Sequence, residues 1–136
     1  DDASVLAGIS PGMPEWQRAL KLQKRAASVG FEWPDCGPVL DKLHEEIEEV
    51  RAVLATDAAT RPQRLLDEIG DVLFVAVNLA RTAGVEPSAA LRHANRKFEA
   101  RFRWMEDEAR REGGKLADRP LAEQEQAWVR AKVALG

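Results

Sequence analysis

The chain has no tyrosine, a single cysteine, two histidines and no apolar run long enough to cross a bilayer. The lone Cys36 excludes internal disulfides and cysteine-rich zinc sites, and fits a reducing cytoplasm. The longest apolar stretch, Val72 to Ala80, is interrupted by Asn78. It falls well short of the roughly 18–20 residues that a membrane helix requires, so no membrane partner is expected. A basic tail or stripe is missing too: 20 Lys and Arg face 23 Asp and Glu, for a net charge of −3. Nucleic acid is therefore not the expected partner. Neither GxxxxGK[ST] nor GxGxxG occurs, which removes the two common glycine-rich phosphate cradles. His44 and His93 are isolated and outside any HExxH, and Cys36 has no His-Asp pattern beside it.

What remains is ordinary for one globular domain over residues 1–136, with 45% hydrophobic and 32% charged residues. Helix signals dominate and no segment alternates with period two. A first helix is predicted from Glu15 to Val29, stopped by Gly30. A connector, FEWPDCG, leads through Pro38 into a second helix reaching about Ala55. The polar connector 56–61 and Pro62 open a third, ending near Ala83 with Gly84 as its stop. A fourth runs from Pro87 to about Glu112, and a last from Pro120 to about Leu135 with Asp118 as a plausible cap. The expected fold is all-α, a bundle of about five helices containing an antiparallel pair.

Chemistry concentrates on the second and third helices. In the second, Val39, Leu40, Leu43, Ile47, Val50 and Leu54 fall in one stripe, with Glu46 and Glu49 on its flank and Glu45 next round. The third is apolar almost all round, so it should be largely buried, yet it carries Glu68 and Asp71 on one face. Glu49 lies six residues before Ala55 and Glu68 six after Pro62, so a hairpin brings all four acids to similar height. Ionised carboxylates withdrawn from water require a partner. Four oxygen donors without cysteine or paired histidine suit Mg²⁺, with Mn²⁺ able to substitute, rather than zinc. The competing reading is salt bridging, from Lys42 to Glu46 and from Arg64 to Glu68. On the fourth helix Lys97 and Arg101 stand one turn apart, either as surface charges or as phosphate contacts. Asn78 either bonds to backbone or reads a ligand. Of the four tryptophans, Trp33 and Trp128 are the base-stacking candidates, and Trp16 and Trp104 suit packing.

Glu45-Glu46-x-x-Glu49, then 18 residues, then Glu68-x-x-Asp71 resembles the EExxE…ExxD signature of the all-α nucleoside triphosphate pyrophosphatase superfamily. GFEWPD (30–35), KLHEEIEEV (42–50), DEIGDVLFVAVNLAR (67–81) and ALRHANRKFEARF (90–102) look closer to its MazG branch. The resemblance covers most of the chain from Leu20 to Val129. It implies Mg²⁺ ligation by Glu46, Glu49, Glu68 and Asp71, and a role for Glu45 in placing water or a second ion. It also implies nucleotide contacts from Lys42, Arg64, Lys97, Arg101 and Trp128. Arg64 stands where some relatives have Lys, keeping the charge but changing its geometry. The implied activity is housecleaning of nucleotide pools: hydrolysis of nucleoside triphosphates to monophosphate and pyrophosphate, by water attacking the α-phosphorus. A homodimer is implied, because relatives complete their sites by dimerising. The chain looks like the C-terminal, catalytic domain of a longer tandem-domain protein. Two alternatives remain: a dUTP- or dCTP-specific pyrophosphatase, or a non-enzymatic helical dimerisation module.

Overall fold

The computed structural model describes residues 1–57 and 59–136, with five α-helices and no strand among them. Ala58, in the connector between the second and third predicted helices, lies outside the described residues.

Helix α1 spans Glu15–Ala27. The chain turns out of it at Gly30, whose φ of 91° is open to glycine at no steric cost. Helix α2, Cys36–Leu54, starts two residues before the predicted Pro38, because Asp35 caps it by accepting from Gly37 N at 2.9 Å. Helix α3 covers Arg61–Thr82, with Pro62 in its first turn. Helix α4, Pro87–Arg111, begins where the Glu86 carboxylate accepts from Ser88 N and Ala89 N. Helix α5 is Leu121–Leu135. Its N-cap is Pro120 and not Asp118, which sits in the short 3-10 turn Leu116–Asp118 and so stands too far upstream to reach the first turn.

The chain divides into two compact units, Asp1–Ala89 and Ala90–Gly136. In the first, α2 and α3 form the antiparallel hairpin and α1 lies against α3. The buried face of α2 is rotated away from the predicted stripe. Val39 and Val53 are fully buried and Glu46, seven residues from each, lies between them at 8% exposure. Leu40, Ile47 and Leu54 point to solvent instead. The expectation that α3 is largely buried also fails. Val75 and Val77 are buried, but Leu66 is 70% exposed and Ile69, Leu73 and Phe74 are nearly half exposed. A helix apolar on every side needs neighbours on every side, and the first unit supplies two.

In the second unit Met105, Ala109, Leu116, Ala127 and Ala131 form a small core, flanked by Trp104 and Trp128. Three of the five are alanines, on α4 and α5. Glu108 and Arg130 tie the same helices together through two hydrogen bonds of 2.9 and 2.7 Å.

Candidate active site

Glu46, Glu68 and Asp71 each offer a carboxylate oxygen, and these oxygens all lie within 4.8 Å of one another. The placement follows from helix geometry: Glu68 and Asp71 share a face of α3, and the hairpin brings that face to the buried side of α2. Glu49 is exposed and stands outside this close group, although its charge reaches Glu68. Glu45 is exposed as well and pairs with Lys42.

The electrostatics are those of crowded anions. The Glu68 carboxyl is pushed above its usual range by desolvation, then by the charges of Asp67, Glu49, Asp71 and Glu46. Asp71 is raised in the same sense, by desolvation and then by Glu46 and Asp67. Lys42 supplies one cation, with Nζ at 3.1 Å from Glu46 and 3.4 Å from Glu45. Its own ammonium is held in the charged form by those hydrogen bonds, Glu46 first. Arg64 makes no ion pair with Glu68 among the described residues. The salt-bridge alternative therefore describes Glu46; Glu68 faces like charge, and at Asp71 the charge of Lys42 opposes Glu46 and Asp67 without cancelling them.

Glu46, Asp71 and Lys42 also line a cavity of about 730 Å³, whose wall is mostly apolar. Its other walls come from Phe31, Glu32 and Trp33 in the connector, Leu22, Gln23 and Ala26 on α1, Phe74, Asn78 and Arg81 on α3, and Leu6. Arg81 closes one side, donating to Glu32 at 3.0 Å and to Asn78 Oδ1 at 3.1 Å. Asn78 lines the cavity, and its amide oxygen accepts from Arg81. Trp33, a stacking candidate from sequence, is in the wall. Gln23, Phe31, Arg81 and Asp67 carry no sequence signal that marks them for this site. GFEWPD was legible as a motif, but nothing in its composition says that it borders a cavity.

Lys97, Arg101 and Trp128 belong to the second unit. There Arg101 lies over the Trp128 ring, 5.3 Å from its centroid, in cation–π geometry. Phe98 packs beside the same ring at 5.5 Å and stacks on Phe102 at 5.8 Å. Lys97 is exposed on α4.

Comparison with known proteins adds a family to this geometry. Residues 13–98 match the model of the phosphoribosyl-ATP pyrophosphohydrolase family, a span that contains both acidic helices and the cavity's connector. The chain belongs to that family. The chain is 43% identical over 129 residues to a nucleoside triphosphate pyrophosphohydrolase of Escherichia coli K12, covering 95% of this chain and 49% of that protein. It is 37% identical over 130 residues to the nucleoside triphosphate pyrophosphohydrolase/pyrophosphatase MazG of Thermotoga maritima, covering 96% and 49%. The MazG resemblance of the motifs is borne out by these relatives. The chain spans about half the length of the curated relatives it matches.

Proposed function

We propose that this family member hydrolyses nucleoside triphosphates to monophosphate and pyrophosphate, in a Mg²⁺-dependent reaction that clears nucleotide pools. The observation that carries this reading is the sharing of Glu46 and Asp71 between the three-carboxylate cluster and the wall of a nucleotide-sized cavity.

The donor set fits the metal. Three hard oxygen donors converge without sulfur or imidazole, and two of them have carboxyls whose ionisation their neighbours oppose. Glu46, Glu68 and Asp71 would hold Mg²⁺, with Glu49 joining by rotation of its exposed side chain. Mn²⁺ offers the same charge and ligand preference. When bound, the cation supplies charge neutralisation at the phosphates and acidification of water. The chain's own contribution is positional. Lys42, fixed by Glu46 and Glu45, sets a positive charge at the cavity's acidic end, where a triphosphate chain needs one. Glu45 is exposed and pairs with Lys42; its role in positioning water or a second ion rests on its motif position. Trp33, Phe31 and the apolar wall take the nucleoside and exclude water around it. Roles for Arg64, Asn78, Lys97, Arg101 and Trp128 in holding the nucleotide rest on their motif positions.

The exposed apolar residues of the first unit, Leu40, Ile47 and Leu54 on α2 with Leu66, Ile69 and Leu73 on α3, support a homodimer. Incubation with a panel of ribo- and deoxyribonucleoside triphosphates tests the reading. Pyrophosphate release that requires Mg²⁺ supports it; release of orthophosphate, or none at all, removes it. Restriction to dUTP or dCTP would favour the narrower pyrimidine-specific alternative.

A further inference from the structure

The segment before α1 contributes one residue to the cavity wall. Leu6 lines the same cavity as Lys42, Glu46 and Asp71, and at 41% exposure it stands open to an entering group. A stretch outside regular structure is loose unless something ties it down, and this one is tied. Arg25 on α1 donates through Nη1 to Val5 O at 2.9 Å and to Ala7 O at 2.8 Å, the carbonyls on either side of Leu6. Two local bonds shape the same turn: Leu6 N donates to Ser4 Oγ and Ala7 N to Ser4 O, each at 3.0 Å. A half-exposed leucine alone needs no explanation. One whose backbone is gripped on both flanks, at the wall of a substrate cavity, does.

We propose that Leu6 is a binding residue for the nucleoside of a bound nucleoside triphosphate, packing against it together with Phe31 and Trp33, and that Arg25 is the positioning residue that presents it. This rests on the nucleotide reading of the same cavity. The assignment follows from chemistry. Lys42, Glu46 and Asp71 serve the phosphates and their metal, and an aliphatic side chain has nothing to offer either. Leu6 gains only by covering apolar surface, which in a nucleotide lies on the base and sugar. Arg25 meets no substrate; it acts through the backbone of residues 5–7.

The test uses the full chain with α,β-methylene-ATP and Mg²⁺, a nucleotide that cannot be cut between its α- and β-phosphates. Binding should slow amide exchange at Leu6 and Ala7 as well as in the acidic helices. In turnover, Leu6→Ala should raise KM for ATP roughly tenfold with little change in kcat, the usual worth of trimming an apolar contact. Leu6→Met, similar in volume, should recover most of the loss. Arg25→Met should raise KM to a similar degree, and combining it with Leu6→Ala should add little, because both act through one contact. Slowed exchange in the acidic helices with none at Leu6 and Ala7 would overturn this inference alone. So would a wild-type KM in Leu6→Ala, or a fully additive double variant. If the nucleotide slows exchange in neither region, the reading of the cavity fails with it.

Discussion

The three clustered carboxylates set the behaviour of the site one residue at a time. Because Glu68 and Asp71 titrate above their usual range, the folded chain binds their protons more tightly than the unfolded chain does. Stability from these groups is therefore greatest at acid pH. It falls as pH rises from the ordinary carboxyl range through the raised values. Without divalent cation at neutral pH, Glu68→Gln or Asp71→Asn should raise the melting temperature by a few degrees, and Mg²⁺ should stabilise the wild type more than either variant. Thermal melts with and without Mg²⁺ read both effects, and a lower metal-free melting temperature in Asp71→Asn would contradict the crowding argument. Of the four acids that spacing sets together, Glu46, Glu68 and Asp71 converge and Glu49 stands outside, since i, i+3 pairs on two adjacent helices leave few arrangements. The central place of Glu46 is not legible from spacing. Its heptad relation to Val39 and Val53 is visible in the sequence, but the more numerous apolar residues Leu40, Ile47 and Leu54 drew the stripe to the other side.

At the scale of elements, helix ends were read well where proline or glycine marks them and less well where a side chain does. Gly30 and Gly84 both lie just beyond a helix with positive φ, at 91° and 76°. The start of α2 depends on Asp35, whose capping carboxylate is a weaker signal in the sequence than Pro38. Asp35→Ala should cost about 1 kcal/mol of stability, the usual worth of such a cap, measured by urea unfolding. No change would mean that Pro38 suffices to start the helix. The α4–α5 contact makes a separate prediction. Glu108 is held below the usual carboxyl range by its hydrogen bonds to Arg130. Its contribution is thus present above the ordinary carboxyl pKa and lost as pH falls through the lowered value. Glu108→Gln should lower the melting temperature at neutral pH by a few degrees and flatten its decline in acid, as circular dichroism across pH 3–7 would show.

For the whole molecule, the fold class and the five helices among the described residues are legible in the sequence, because proline, glycine and helical periodicity are local signals. Burial is not, because burial depends on how many neighbours a helix has. Helix α3 is apolar all round and yet Leu66 is mostly exposed, a combination that a second copy of the chain would resolve. Leu66→Glu should leave the helical content unchanged and shift sedimentation from dimer to monomer. A wild-type chain that sediments as an active monomer would contradict that assembly. No helix among the described residues is long and apolar enough to cross a membrane.

The most direct test of the acidic site as a catalytic centre is identification of the products formed from ATP by the wild-type chain and by Asp71→Asn, each with and without Mg²⁺. The account predicts AMP and pyrophosphate in equal amounts from the wild type with Mg²⁺, and a rate lower by at least about a hundredfold when either the metal or the Asp71 charge is removed. ADP and orthophosphate as products, or an undiminished rate in Asp71→Asn, would contradict it.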